Sequence, residues 1–133
     1  MSLLLDTHVW IWSQELPERI GDQARQEILR RDRSVFVSTI STLEIARLDA
    51  IGLIELKRPL DLWVRGSLEA LQASSIEISH KIAMGAYQLP GEFHKDPADR
   101  LIVATAREHE LTLVTADHRI LAYPSVDTLD AEK

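Results

Sequence analysis

Leu111-Thr112-Leu113-Val114-Thr115-Ala116-Asp117 decides the fold. Its first five residues are apolar or β-branched, too few for a helix, and an acid follows closely. That is the pattern of a short strand buried on both faces. The amino end repeats it, with Ser2-Leu3-Leu4-Leu5 ended by Asp6, and Val35-Phe36-Val37 is a third such run. Further short strands are expected over 76–78 and 125–129. Between the strands, apolar residues recur at helical spacing. Ile20, Ala24, Ile28 and Leu29 give an amphipathic helix over 20–32. A helix over 41–51 takes Ser41 as cap, Ile45, Leu48 and Ile51 on one face, and Gly52 as stop. Pro59 suits the first position of a helix carrying Leu60, Trp63, Val64, Leu68 and Leu71. Ser79 caps a helix over 80–89, and Pro97 opens one over 97–109 with Leu101, Ile102, Ala104 and Thr105 inward.

Strands alternating with helices imply right-handed crossovers and a three-layer α/β/α fold around a central, mainly parallel sheet of about five strands. The chain has 133 residues, which on the usual scale of roughly 100–200 residues per domain makes residues 1–133 one domain. It has no cysteine, which excludes a disulfide framework, a thiolate metal site and a cysteine nucleophile. No apolar run approaches the ~20 residues of a membrane helix, and the start lacks the basic region of a signal peptide. The expected location is cytoplasmic. Fifteen Lys and Arg against 21 Asp and Glu leave a net charge of −6. A nucleic-acid partner would therefore have to be met by a local basic surface or through bound cations, not by global charge.

In a parallel α/β sheet, ligands bind outside the carboxyl ends of the strands. Asp6 and Asp117 follow strands directly, and Glu44 and Asp99 lie in the first turns of helices that begin at the same edge. Four carboxylates distant in sequence therefore converge on one rim. Like charges so close raise one another's pKa or demand a cation. An all-oxygen cluster suits Mg²⁺ or Mn²⁺, one ion or two, which would make water easier to deprotonate and neutralise charge on a phosphodiester. Each acid also has a local explanation. Ser41-Thr42-Leu43-Glu44 fits a capping box, Asp96-Pro97-Ala98-Asp99 fits a helix start, and Asp117 could cap a short helix before Tyr123.

The combination resembles PIN-domain ribonucleases, specifically the VapC-type toxins of toxin–antitoxin pairs. The stretches that carry the resemblance are Leu3-Leu4-Leu5-Asp6-Thr7-His8-Val9-Trp10, Val37-Ser38-Thr39-Ile40-Ser41-Thr42-Leu43-Glu44-Ile45-Ala46, His94-Lys95-Asp96-Pro97-Ala98-Asp99-Arg100-Leu101-Ile102-Val103-Ala104 and Leu111–Asp117. They occur in the family's order and span nearly the whole chain. The resemblance implies a metal-dependent endoribonuclease, with Asp6, Glu44, Asp99 and Asp117 as metal-binding and catalytic residues. It implies Thr7 and Thr115 as supporting hydroxyls and Asp96 as a supporting acid. It further implies an RNA substrate, a homodimer and a small cognate antitoxin. Ala98 stands where many relatives have Phe, and Leu43 where many have Trp; neither removes a carboxylate.

Two other functions compete. A phosphatase of the haloacid-dehalogenase type also has an Asp after its first strand, but wants a second Asp two residues on, where this chain has His8. The other is a non-catalytic interaction domain, against which all four acids count. His80 and His94 could approach the rim. Arg30, Arg31 and Arg33 form a basic cluster at a helix end, where cations suit the dipole. Trp10 and Trp12 suit either a dimer interface or the core.

Overall fold

The computed structural model describes residues 2–133. Its five strands are β1 (Leu3–Leu5), β2 (Val35–Ser38), β3 (Ala73–Ile76), β4 (Thr112–Thr115) and β5 (Thr128–Asp130). They form one sheet in the order β3-β2-β1-β4-β5, and every neighbouring pair is parallel. The helices are α1 (Thr7–Glu15), α2 (Asp22–Leu29), α3 (Thr39–Ala50), α4 (Leu60–Leu71), α5 (His80–Gly85), α6 (Pro97–Glu108) and α7 (His118–Leu121). None of them is long and apolar enough to cross a membrane.

β1 is the centre of the layers. Side chains alternate across a strand, so Leu3 and Leu5 enter the cluster that also holds residues of α1, α2, α3 and α4, while Leu4 enters the cluster built largely on α6 and β4. All three leucines are fully buried. The register pairs Leu5 with Val37 on one side and with Val114 on the other. The strand order thus reverses between β1 and β4, and this is where an open parallel sheet leaves its crevice.

The first helix was hidden from periodicity. Val9, Trp10, Ile11 and Trp12 are consecutive and all buried, so α1 shows no one-sided apolar stripe. The two tryptophans belong to the core, the second of the two readings, and not to an interface. The Trp10 and Trp63 rings lie 5.5 Å apart. Trp10 Nε1–H donates to Ser67 Oγ at 2.9 Å, and Trp63 Nε1–H donates to Glu15 Oε2 at 3.2 Å. The ring nitrogens buried between α1 and α4 are therefore satisfied, as burial of an indole requires.

Several boundaries differ from the sequence expectation. α3 begins before Ser41, because Ser38 is its cap and accepts from Ile40 N at 3.1 Å. Ser41 is buried inside the helix, so Ser41 and Glu44 do not form a capping box. Pro59 caps α4 rather than opening it. β3 ends at Ile76 where 76–78 was expected, because this edge strand pairs by backbone and leaves Ser74 and Ser75 exposed. β5 lies three residues later than its expected start, and α5 stops at Gly85. Ser79, Asp96 and Asp117 cap α5, α6 and α7 as expected.

Replacing Trp10 with Ala should destabilise the fold by about 3–5 kcal/mol, the range for deleting a large buried aromatic. Ser67→Ala leaves the indole N–H unpaired and should cost about 1–3 kcal/mol. Urea unfolding of both variants checks this. A near-zero loss for Trp10→Ala would return the ring to the surface.

Candidate active site

Asp6 is the residue after β1 and Asp117 lies two residues beyond β4, so strand pairing brings the two together at the crevice. Asp6 is buried and extended. Its Oδ1 accepts from Thr7 N at 2.8 Å and its Oδ2 accepts from Thr115 Oγ1 at 2.6 Å. Thr7 starts α1, and its hydroxyl oxygen lies 2.5 Å from Glu44 Oε1 and 2.8 Å from Ser41 Oγ. A hydroxyl has one proton to give, and the carboxylate is the stronger acceptor. Glu44 reaches this point because α3 begins early and carries it one turn deeper than a helix-start residue. Asp99 is in the first turn of α6, whose cap Asp96 accepts from Asp99 N at 3.1 Å. Asp117 caps α7, accepting from Arg119 N at 2.8 Å and Ile120 N at 3.4 Å.

The four acids expected at the rim, together with Asp96, line one cleft of about 310 Å³. Thr7 lines it too, and Thr115 is buried beneath it as the partner of Asp6. Three of the carboxylates are pushed above their ordinary values. For Asp6 burial is the main cause, opposed by the bonds from Thr115 and Thr7 and reinforced by the charge of Asp99. Burial also dominates at Glu44, opposed by the Thr7 hydroxyl and reinforced by Asp6 and Asp99. At Asp99 burial again leads, the His94 hydrogen bond opposes it, and Asp96 and Asp117 add to it. Asp117 goes the other way. Burial acts upward on it as well, but the hydrogen bonds and charge of Arg119 hold it below the usual carboxylate range.

Two residues at this site carry more than the sequence pattern implied. His94 Nε2 lies 2.6 Å from Asp99 Oδ2. With Asp99 ionised, Nε2 carries the proton and donates; Nδ1 is buried with no hydrogen-bond partner. Arg100 holds the loop in place, donating to Phe93 O at 2.8 Å and Ala86 O at 3.0 Å. Ligand atoms of His94, Asp99 and Asp117 all fall within 4.8 Å of one another. Arg119 was missed altogether; its Nη2 is 3.1 Å from Asp117 Oδ2 and 3.7 Å from Asp99 Oδ2. The signal available was its place two residues after Asp117, which a single sequence does not separate from an ordinary surface arginine.

Other candidates lie elsewhere. His80 is exposed at the start of α5 and does not line the cleft. His8 does line it, from the first turn of α1. Arg30 and Arg33 precede β2, at the opposite edge of the sheet. There Arg30 pairs with Asp32 at 2.6 Å, and Arg33 pairs with Glu27 at 2.6 Å. This basic cluster lies away from the acids; Arg30 and Arg33 are ion-paired, while Arg33 Nε and Nη1 are buried without a hydrogen-bond partner.

The profile of the PIN domain family matches residues 3–125. Ribonuclease VapC22 of Mycobacterium tuberculosis is 38% identical over 122 residues, 92% of each chain. Among solved structures, VapBC2 from Rickettsia felis, bound to a DNA fragment from its promoter, aligns with TM-score 0.73 and 18% identity. That alignment covers 97% of this chain and 98% of the other. FitAcB from Neisseria gonorrhoeae aligns with TM-score 0.67 and 23% identity over 97% of each chain. At such identities the solved structures speak to the fold, which they share along almost its full length. The family profile and the identity to VapC22 speak to descent: the chain belongs to the PIN domain family, in its VapC branch.

Proposed function

We propose that this chain, one PIN domain along its length, is a divalent-ion-dependent endoribonuclease and the toxin of a toxin–antitoxin pair. The observation that carries the proposal is the group of four carboxylates from four separate segments at the β1–β4 crevice, three of them pushed up by burial. Such a group is unfavourable as a set of bare anions and favourable around a cation. The donors fit a hard ion: they are carboxylate oxygens, with one imidazole at the edge and no thiolate. Asp6, Glu44, Asp99 and Asp117 would hold it, as Mg²⁺ or Mn²⁺. A bound ion of this kind supplies positive charge against a phosphodiester and makes water a better nucleophile.

The chain's own residues do the rest. Thr115 and the Thr7 N–H fix both oxygens of Asp6, so its carboxylate cannot rotate. Thr7 anchors Glu44, and His94 holds one oxygen of Asp99, leaving the other free. Asp96 orients Asp99 by capping α6. Covalent catalysis is unnecessary: hydrolysis needs a positioned phosphate, a water and an acceptor for its proton.

RNA as the substrate is supported by the 38% identity to a protein named a ribonuclease. An antitoxin partner is supported by solved structures of VapBC and toxin–antitoxin complexes with the same fold. A toxin acting on RNA works in the cytoplasm. Trp10 and Trp12 are buried, so a homodimer would use other side chains. Exposed apolar side chains are available instead at Leu43, Ile51, Leu53 and Leu62.

Amide variants test the site. Glu44→Gln and Asp99→Asn should raise the melting temperature of the metal-free protein, because each removes a charge from a repelling group. The rise on adding Mn²⁺ should shrink, since it follows RT ln(1 + [L]/Kd) and Kd has worsened. Cleavage of a structured RNA should fall by orders of magnitude. Asp96→Asn, still able to cap α6, should keep most of the metal response. Normal cleavage and metal response in both Glu44→Gln and Asp99→Asn would overturn the assignment. For the parent, EDTA should abolish cleavage, and Mg²⁺ or Mn²⁺ should restore it better than Ca²⁺, which prefers more ligands at longer distance.

The same cluster fixes a pH dependence. A carboxyl whose folded pKa is raised binds its proton more tightly in the folded state, so it costs stability as pH rises through its folded value. Gln at position 44 carries no such charge. The advantage of Glu44→Gln over the parent, both metal-free, should therefore be full near pH 8 and vanish as pH falls below the ordinary Glu range. Melting curves from pH 4 to 8 would show it; an advantage that grew on acidification would contradict the sign.

A further inference from the structure

The cleft holds five carboxylates, those of Asp6, Glu44, Asp96, Asp99 and Asp117, and among the described residues that line it Arg119 is the single Arg or Lys. RNA is a polyanion. A site so acidic needs positive charge to receive a phosphate, and an arginine presents a planar fork of donors matched to phosphate oxygens. Arg119 is built to be held and released. Its backbone is fixed, because its own N–H caps onto Asp117 Oδ1. Its side chain is 61% exposed. The guanidinium is held by Asp117 Oδ2 at 3.1 Å and faces Asp99 Oδ2 at 3.7 Å. His94 Nε2 also contacts Asp99 Oδ2. These carboxylates are two of the four that would hold the divalent ion under the proposed function, on which this inference rests. A divalent ion and the guanidinium therefore compete for the same charge.

We propose that Arg119 is an exchangeable counter-ion and a substrate-binding residue. Without a divalent ion it neutralises Asp117 and Asp99; when the ion is bound, its guanidinium is freed to grip a phosphate of the RNA. Neither state leaves the charges uncompensated. The carboxylates always have a cation, and the guanidinium always has an anion once RNA arrives. A plain surface ion pair would stabilise the fold and do nothing else, and exposed pairs of that kind contribute little.

Two properties of Arg119→Gln separate these accounts. Mn²⁺ binding, read as melting temperature against Mn²⁺ concentration with no RNA present, should tighten several-fold, because the competing cation is gone. Cleavage of a fluorophore–quencher RNA hairpin at saturating Mn²⁺ should show KM raised about tenfold with kcat nearly unchanged, the signature of lost uniform binding. The slope of log KM against log salt concentration should fall by roughly 0.7, one single-strand phosphate contact. Arg119→Lys keeps the charge but not the fork. It should retain the parent's Mn²⁺ affinity and salt slope, with an intermediate KM. Unchanged or weaker Mn²⁺ binding in Arg119→Gln would overturn the counter-ion role, and an unchanged salt slope would overturn the phosphate contact. If the parent itself showed no Mn²⁺ response, the ion site would fall and this inference with it. A responsive parent beside an identical Arg119→Gln would defeat the inference alone.

Discussion

A carboxylate held out of water governs this molecule. Asp6 is buried at the end of the central strand, with both oxygens occupied by short hydrogen bonds from Thr7 and Thr115. Those donors come from two elements that must be in register for the bonds to form. β1 has to pair with β4 so that Leu5 lies beside Val114, and α1 has to begin at once so that the Thr7 N–H points back. The packing of α1 against α4 through Trp10, Trp63 and Ser67 keeps that helix in place. Even so, the bonds do not offset desolvation, and the acid stays pushed up. The fold thus maintains an unfavourable charge at its centre, the usual mark of a site kept for chemistry rather than for stability.

The remaining acids divide by how they are compensated. Glu44 and Asp99 have a single neutral or imidazole donor each and remain pushed up, whereas Asp117 has a guanidinium and a helix end and is held down. One site therefore contains a carboxylate held below its ordinary range beside carboxylates pushed above theirs. Environments that push neighbouring acids apart in this way are how a single residue type serves several roles.

Much of this was legible in the sequence, for identifiable reasons. β1, β2 and β4 are buried on both faces, so they appear as unbroken apolar runs, and the alternation of strands with helices leaves few topologies. The rim followed from topology: Asp6 and Asp117 at strand ends and Asp99 at a capped helix start needed no distances. The errors arose where local pattern and tertiary context part company. α1 carries its apolar residues consecutively, Val9 to Trp12, and shows no period. β3 has serines at its exposed edge. Ser41 and Glu44 imitate a capping box, yet the helix had already started at Thr39, capped by Ser38. That early start is what turns Glu44 from a terminus residue into a companion of Thr7. His94 was named as able to approach the rim and does so, whereas Arg119 was missed, because the direction of a long side chain depends on rotamers that no spacing encodes.

The bond between Thr115 and Asp6 joins residues 109 apart in sequence. Contacts of such separation form late and slowly, since a long loop must close before they are rewarded. A ribosome adding about 5–20 residues per second makes Asp6 and Glu44 several seconds before Asp117 exists. Through that interval the emerging polypeptide has no strand β4 to lie beside β1 and so no rim of four acids. The order of synthesis therefore delays the rim: its two strand-end acids can lie side by side only after residue 117 has been made and β4 has paired with β1.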